Sequence, residues 1–130
     1  MTPPEGYRHS TEITIRFADI DMMGHVNHAT YLTYVEQARI HYVQQVCGVD
    51  RTRESFGMIV AHAEVDYALP LLLGDHVVAF TRCTRLGTKS LELAYMLVRQ
   101  TENGASEVAA QAKTVMVTYD YNQHASVPVP

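Results

Sequence analysis

The sequence contains no tryptophan, two cysteines and few charges. Charged residues make up 18% of its 130 residues, whereas about 25% is usual for a soluble domain. The cysteines, Cys47 and Cys83, form no CxxC pair and stand in apolar surroundings, which favours reduced thiols in the cytoplasm. The length predicts one domain over residues 1–130. The shortage of charge indicates that a second copy covers part of the surface.

Long apolar runs and basic segments are also missing. No stretch approaches the roughly 18–20 apolar residues that a membrane span needs. The start, MTPPEGYRHS, has no basic region followed by an apolar run, so we expect no signal peptide. A formal net charge of −4 argues against nucleic-acid binding. We therefore expect a cytoplasmic protein with no membrane span.

One helix is predicted from about residue 29 to residue 46. Its apolar residues recur at steps of three and four, which makes one stripe. Asn27 is suited to the N-cap, and Gly48 is suited to ending the helix in a left-handed conformation. The residues of the stripe are Tyr31, Val35, Ala38, Tyr42 and Val46.

The rest of the chain reads as strands. TEITIRF alternates, with Ile13, Ile15 and Phe17 on one face, and four β-rich segments follow the helix. Asn103-Gly104 predicts a hairpin before a long last strand that is expected to be bulged. Consecutive strands predict an antiparallel meander covered by the helix, an α+β domain. The four segments are MIVAHAEVDY, HVVAFTRCTR, SLELAYMLVRQ and SEVAAQAKTVMVTYDY.

Polar residues cluster just before the helix, in DIDMMGHVNH. The spacing of His25 and His28 is a weak metal signal, because no distant Cys/His pair completes a site. GxSxG, GxxxxGK and GxGxxG motifs are absent. Asp21 could attack a carbonyl carbon or activate a water, with N–H groups at the helix start holding the oxyanion. The residues alone leave a second interpretation open, in which Asp19 and Asp21 only turn the chain.

These residues resemble those of the hotdog-fold acyl-CoA thioesterases of the 4-hydroxybenzoyl-CoA thioesterase type. The pattern of that family runs D-x-D-x-x-G-[hydrophobic]-V-x-[HY]-x-x-Y and continues into E-x-A-R. The similarity extends through GMIVAHAEVDYALPLLLGD, RLGTKSLEL and PVP, and covers about residues 11–130. In this sequence the pattern is carried by Asp19, Asp21, Gly24, His25, Val26, His28, Tyr31, Glu36, Ala38 and Arg39.

The resemblance implies a fold and a reaction. The fold would be a five- to six-stranded antiparallel sheet wrapped around one long central helix. The reaction would be hydrolysis of an acyl-CoA thioester to free acid and CoA, with Asp21 as nucleophile or base and Asp19 holding the loop. His28 would lie beside Asp21, and His25 resembles the functional histidine of acyl-ACP thioesterases. Gly57 matches the position whose amide polarises the thioester carbonyl.

The resemblance also implies how CoA is held. Thr88, Lys89 and Ser90 align with the turn that contacts the CoA nucleotide, and Arg82 or Arg85 would help Lys89 to bind phosphates. Relatives pair their sheets, so we expect a homodimer or homotetramer with CoA at the interface. CoA enters as part of the substrate, so no cofactor and no metal are expected.

Two other functions remain as alternatives. A non-catalytic hotdog protein would bind acyl-CoA or a small apolar ligand in the same tunnel, without needing a carboxylate. A hotdog dehydratase would carry a catalytic acid in the middle of the helix. Glu36 stands there, but it is expected to pair with Arg39 instead. The acyl group, the choice between CoA and acyl carrier protein, and the roles of His25 and His28 stay open.

Overall fold

A computed structural model of the chain describes residues 3–46, 56–100, 104–120, 125–126 and 128. It contains one long helix and one antiparallel sheet of six strands, which confirms the predicted α+β hotdog fold. A short 3₁₀ turn, Phe17–Asp19, lies between the first strand and the helix. The elements in chain order are β1 (His9–Ile13), α1 (Thr30–Val46), β2 (Phe56–Tyr67), β3 (His76–Leu86), β4 (Ser90–Gln100), β5 (Ser106–Asp120) and β6 (Ala125–Ser126).

The order of the strands in the sheet is β1-β3-β4-β5-β2, and β6 pairs with the end of β5. Strands β3, β4 and β5 form the predicted meander, but the prediction was wrong for β2. Because β1 occupies the free side of β3, with His9 opposite Thr81 and Ile13 opposite Val77, β2 pairs with β5 instead. The twelve-residue strand β2 therefore forms an edge of the sheet.

The helix packs its apolar stripe onto the sheet. Tyr31, Val35, Ala38 and Tyr42 are buried as predicted, whereas Val46 is 55% exposed. The helix begins at Thr30, one residue later than expected, and the predicted stop at Gly48 lies outside the described residues. The core is completed by Leu71, from the segment between β2 and β3, and by inward-facing sheet residues that include Val77, Ala79, Leu91, Leu93, Tyr95, Leu97 and Met116.

The first strand is shorter than its alternating pattern suggested. Strand β1 ends at Ile13, and Phe17 is 82% exposed instead of sharing a buried face with Ile13 and Ile15. The reason is the 3₁₀ turn, in which the N–H of Asp19 donates to the carbonyl of Arg16 at 2.9 Å. The Asp19 carboxylate in turn accepts the N–H of Arg16 at 3.0 Å. This compact turn takes the chain out of the sheet before Phe17.

Strand β5 contains a bulge, as the sequence predicted, and the bulge contacts the segment that leaves β2. Leu97 lies opposite Ala110 while Val98 lies opposite Val108, so Ala109 is the extra residue. The carbonyl of Ala109 accepts the N–H groups of Ala68 at 2.9 Å and Leu69 at 3.0 Å. The bulge thereby fixes the segment that leaves β2, which forms one wall of the site described below.

Two further predictions concern membrane-spanning helices and the state of the cysteines. Within the described ranges, no helix is long and apolar enough to cross a membrane. Cys83 is an exposed free thiol, while Cys47 lies outside the described residues.

Of the predicted Asn103-Gly104 hairpin turn, Asn103 lies outside the described residues. Gly104 has a φ of 79°, the left-handed conformation expected of a glycine in a hairpin turn.

Candidate active site

The loop between the 3₁₀ turn and α1 is folded back on itself. The N–H of Asp21 donates to the carbonyl of His25 at 2.8 Å, and the N–H of Gly24 donates to the carbonyl of Asp21 at 3.1 Å. Gly24 has a φ of 85°, which residues with a Cβ rarely adopt. Ile20 and Val26 form a bridge across the base of the loop. These contacts fix the main chain of the loop that carries the Asp21 side chain.

The carboxylate of Asp21 is exposed and oriented by its own loop. Its Oδ1 accepts the main-chain N–H of Met23 at 2.9 Å and that of His25 at 3.2 Å. Among the hydrogen bonds of the described residues, Oδ2 accepts none. One oxygen is therefore held by the backbone, and the other is available to react.

Asp19, two residues earlier, is buried with an exposed fraction of 4%. Its Oδ2 accepts the hydroxyl of Tyr34 at 2.7 Å and the N–H of Arg16, and its Oδ1 accepts the Arg16 guanidinium at 3.3 Å. Burial raises the pKa of this carboxyl, but the bonds from Arg16 and Tyr34 outweigh burial and hold the pKa below its usual value. The main-chain carbonyl of Asp19 also accepts the N–H of Asn27. These contacts give Asp19 the supporting role that was predicted.

A cavity of about 370 Å³ opens in front of Asp21. It brings together three of the predicted site residues, Asp21, His25 and His28, from one loop. Its other walls come from the first turn of α1 and from the segment that follows β2. The residues that line it are Asp21, His25, Val26, His28, Tyr31, Tyr67, Ala68, Leu69 and Pro70.

Two tyrosines of this cavity were not predicted as site residues. The hydroxyl of Tyr67 donates to the carbonyl of His28 at 2.8 Å, and its ring lies edge-on to Tyr31 at 4.9 Å between centroids. The Tyr31 hydroxyl donates to the carbonyl of Leu69 and accepts the N–H of Leu71. Burial raises the pKa of Tyr31. The sequence signal for Tyr67 is faint, a tyrosine at the end of a strand before Ala-Leu-Pro.

The N–H groups at the helix start are less available than predicted. Those of Thr30, Tyr31 and Leu32 donate to carbonyls three residues earlier, and that of Ala29 donates to the Asn27 side chain at 3.0 Å. The Asn27 side chain thus accepts the N–H directly before the helix, and its main-chain carbonyl accepts that of Thr30, the first helical residue. Between residues 23 and 32, all of them described, the N–H of His28 alone has no acceptor in the described chain. The expectation of several free amides is therefore corrected to one.

Gly57 lies far from this loop within one chain. It stands inside β2, opposite Tyr119, whereas the sequence placed it just before the strand. Tyr67, which lines the cavity, is ten residues further along β2, so about 33 Å separates the two positions along the strand. One copy of the chain does not bring Gly57 and Asp21 together.

The predicted CoA-binding turn lies at the same end of the sheet as Gly57. Thr88 and Lys89 lie between β3 and β4, and Ser90 is the first residue of β4. The carbonyl of Lys89 accepts the N–H of Thr118 at 3.0 Å. Thr118 is next to Tyr119, the partner of Gly57. The turn and Gly57 are therefore neighbours across the end of β5.

The arginines predicted to assist Lys89 are both on β3 and exposed. The Arg82 guanidinium lies over the ring of Tyr7, 4.9 Å from its centroid. Arg85 lies opposite Glu92 on β4. Within the described part of the chain, no three His, Cys, Asp or Glu residues are arranged to hold a metal ion.

Comparison with known proteins identifies the family. Residues 15–130 match the Thioesterase-like superfamily. The chain belongs to this superfamily. The thioester hydrolase predicted from the sequence agrees with the family, and the Asp21 cavity lies within the matched region.

Curated relatives of the chain include named hydrolases. It is 30% identical over 134 residues to the 1,4-dihydroxy-2-naphthoyl-CoA hydrolase of Thermosynechococcus vestitus. That alignment covers 99% of this chain and 86% of the relative. It is 26% identical to the long-chain acyl-CoA thioesterase FadM of Escherichia coli, over 85% of this chain and 82% of that protein. The chain spans 57% of the length of YsmA of Bacillus subtilis, to which it is 26% identical.

Solved structures agree on the fold. A thioesterase from Thermus thermophilus, complexed with coenzyme A and Zn, is 36% identical, with a TM-score of 0.79 over 98% of this chain and 89% of that one. A 4-hydroxybenzoyl-CoA thioesterase complexed with 4-hydroxybenzoyl CoA is 18% identical, with a TM-score of 0.87 over 94% of this chain and 92% of that one. The superfamily is thus confirmed, while the specific 4-hydroxybenzoyl-CoA type is matched in fold alone.

Proposed function

We propose that the protein is an acyl-CoA thioesterase, which hydrolyses an acyl-CoA thioester to the free acid and CoA with Asp21 as its catalytic carboxylate. The observation that carries the proposal is the Asp21 side chain, which lines a cavity with one oxygen fixed by two N–H groups and the other unpartnered in the described chain. The superfamily and the names of two curated relatives support the reaction class. CoA is part of the substrate, and no separate cofactor is needed.

Asp21 has two chemical routes. As a nucleophile, Oδ2 bonds to the thioester carbonyl carbon, the C–S bond breaks, and CoA leaves as a thiolate that takes a proton from solvent. Water then hydrolyses the resulting anhydride. As a base, Asp21 takes a proton from a water that attacks the carbonyl directly. His25 and His28 line the same cavity and position this water.

Single-turnover hydrolysis in ¹⁸O-water separates the two routes. The nucleophile route, with water attacking the Asp21 carbonyl of the anhydride, puts one ¹⁸O atom into Asp21. The base route puts the label only into the released acid. Mass spectrometry of the peptide that contains Asp21 distinguishes these results.

The oxyanion requires donors close to the thioester carbonyl. Within one chain, the N–H of His28 is available beside the cavity. The second donor is the N–H of the partner subunit's Gly57. Because glycine has no side chain, a substrate can approach this N–H closely. The site is therefore complete only when two copies assemble.

Strand β2 supplies the surface for this assembly. It is an edge strand of twelve residues, and Ile59 and Val60 are each 42% exposed. A long apolar edge left uncovered would pair with other chains. His62 lies midway between Gly57 and Tyr67. A two-fold axis there would pair the two β2 strands and place the partner subunit's Gly57 opposite Tyr67, beside Asp21.

The same two-fold axis explains how CoA is held. The turn of Thr88, Lys89 and Ser90 shares the Gly57 end of the sheet, so the partner's turn reaches the Asp21 cavity of the first copy. Lys89, Arg82 and Arg85 of that partner subunit are exposed cations for the CoA phosphates. A homodimer is the smallest active unit, and a homotetramer would contain two of them. With an exposed free thiol at Cys83, we place the protein in the cytoplasm.

Release of free thiol from a panel of thioesters tests the function directly. The panel contains short-chain, long-chain and aromatic acyl-CoAs, together with an acylated acyl carrier protein. We expect turnover of at least one acyl-CoA. Binding of acyl-CoA without turnover of any thioester would contradict the proposal and favour the non-catalytic binding protein.

Complementation between two inactive variants tests whether the site is shared. D21N removes the carboxylate, and G57V blocks the approach to the Gly57 amide, so each homodimer should be nearly inactive. Co-expression should give half heterodimers by random pairing. Each heterodimer has one intact site, so activity should recover to about a quarter of the wild-type value.

The control is co-expression of D21N with wild type, purified and assayed in parallel. A mixture of D21N and G57V that stays inactive although mass spectrometry detects heterodimers would show that Asp21 and Gly57 do not act across an interface. An active G57V homodimer would remove Gly57 from the site.

Tyr67→Phe tests the cavity wall. The change deletes the hydroxyl that donates to the carbonyl of His28 at 2.8 Å. A neutral hydrogen bond contributes about 1 kcal/mol, so we expect kcat/KM to fall about fivefold, with the loss in kcat. Tyr7→Phe is the matched control, because Tyr7 lies outside the cavity. Equal kinetics for Tyr67→Phe and wild type would show that this bond does not position His28.

A further inference from the structure

The segment between β2 and β3, residues 68–75, connects two parts of the candidate active site. Residues 68–70 line the Asp21 cavity. The next residue, Leu71, is fully buried, and its carbonyl accepts the N–H of Val26 at 2.8 Å. Val26 lies in the loop that carries Asp21 and also lines the cavity. This hydrogen bond therefore joins the wall of the cavity to the loop of the carboxylate.

Arg99, the penultimate residue of β4, holds the 68–75 segment from outside the cavity. Its Nη1 donates to the carbonyl of Pro70 at 3.0 Å and lies 3.7 Å from Oδ2 of Asp75. Its Nε and Nη2 donate to Oε1 of Glu107 on β5, at 3.3 Å and 3.2 Å. The Arg99 side chain is 21% exposed and is not part of the cavity lining. The guanidinium is thus anchored on one strand and bonded to the segment.

The far end of the segment closes on the same guanidinium. Asp75 Oδ2 accepts the N–H of Leu72 at 2.9 Å, and the N–H of Asp75 donates to the carbonyl of Leu72 at 3.0 Å. Gly74, with a φ of 97°, permits this tight turn. Because the same Asp75 oxygen faces Arg99, one cation contacts both ends of the run from Pro70 to Asp75.

A short series of hydrogen bonds leads from Arg99 to the Asp21 carboxylate. Arg99 bonds to the residue before Leu71, whose carbonyl accepts the N–H of Val26. The N–H of His25, directly before Val26, donates to Asp21 Oδ1 at 3.2 Å. Three hydrogen bonds and two steps along the chain therefore connect the guanidinium to the oxygen that orients the carboxylate.

We propose that Arg99 is a positioning residue, which acts through the 68–75 segment to hold the Asp21 carboxylate in its reactive orientation. This inference rests on the proposed thioesterase function. Tyr31 and Ala109 bind the same segment, so loss of Arg99 should displace the segment without unfolding the domain. A displacement of about 1 Å at a reacting group can cost about 10²-fold in rate.

Removal of Arg99 in two backgrounds tests the inference. In the wild-type background, Arg99→Met should lower kcat for acyl-CoA hydrolysis about tenfold, since the segment stays partly held. In the D21N background the remaining hydrolysis does not use the carboxylate, so the same change should lower it about twofold or less. A structural effect alone would lower both rates by the same factor. Thiol release at saturating acyl-CoA measures all four rates.

Arg8→Met is the matched control, because Arg8 is an exposed arginine before β1 and lies outside the cavity. Its kcat should equal that of the wild type. Arg99→Lys is the second variant, for use if Arg99→Met does not fold. Lysine keeps the positive charge but lacks the planar fork that binds Pro70 and Glu107 together. Its kcat should again fall more in the wild-type background than in the D21N background.

Equal losses in the two backgrounds would overturn the inference and leave the thioesterase intact. A wild-type kcat in Arg99→Met, or in Arg99→Lys if only that variant folds, would do the same. Failure of both variants to fold would show that Arg99 holds the domain together and would also overturn the positioning role. A wild-type kcat in D21N would overturn the role of Asp21 and the inference with it. Failure of the wild type to hydrolyse any thioester would overturn the proposed function itself.

Discussion

Replacing Asp21 with asparagine should lower kcat for acyl-CoA hydrolysis by about 10²–10⁴-fold, the usual contribution of a positioned acid or base. Asparagine keeps a side-chain oxygen that can accept the N–H groups of Met23 and His25, so the loop should keep its shape. It removes the charge and the free carboxylate oxygen. Thiol release under saturating acyl-CoA measures the loss.

Binding of CoA separates a catalytic role of Asp21 from a structural one. Isothermal titration of D21N with CoA should give the wild-type affinity, because Asp21 acts on the acyl carbonyl and not on the nucleotide. Glu12→Gln is the matched control, since Glu12 is also an exposed carboxylate but lies on β1, outside the cavity. A kcat for D21N within a few-fold of wild type would rule out catalysis by this carboxylate.

Removing the neighbouring carboxylate should damage stability instead. Asp19→Ala leaves the buried Tyr34 hydroxyl and the Arg16 N–H without their acceptor. We expect the free energy of unfolding to fall by about 3 kcal/mol. Denaturation in urea measures this change. Glu12→Ala, which removes an exposed carboxylate on β1, should shift stability by about 0.5 kcal/mol or less.

Asp19 should also make the free energy of unfolding depend on pH in the acidic range. Its pKa in the folded protein is below its usual value, which is about 3.9 in an unfolded chain. The unfolded state therefore binds the proton more readily, so this contribution is complete above the unfolded pKa and is lost as pH falls through the folded pKa. Urea midpoints measured from about pH 6 to pH 3 should fall less steeply for Asp19→Asn than for wild type. Parallel curves for the two proteins would show that Asp19 is not the source of this acid sensitivity.

Much of the architecture follows from sequence periodicity alone. The stripe from Tyr31 to Tyr42 predicted the helix to within one residue at its start, because burial of one helical face is a local property of spacing. The β-rich segments predicted strands β2 to β5 and the bulge in β5, because the residue pattern of a strand is also a local property. The loop motif singled out Asp21, His25 and His28, which the structure brings to one cavity.

What the sequence could not predict depends on contacts between distant segments. Residue types alone left the two aspartates of the loop alike, and only the family resemblance assigned Asp19 to holding the loop. The structure gives the physical reason, because Tyr34 and Arg16 hold Asp19 in a buried position while Asp21 stays exposed. Tyr67 reaches the cavity from the end of β2, where it pairs with Ala110 and its hydroxyl donates to the carbonyl of His28, and these contacts join segments far apart in the chain.

The position of β2 shows the same limit. Sequence order favoured a meander, but β1 takes the free side of β3 and leaves β2 at the opposite edge. Pattern and spacing determined which residues form strands and which loop carries the carboxylate. Tertiary structure decided which strand is left unpaired and which carboxylate faces the cavity, because pairing and burial depend on residues far apart in the chain.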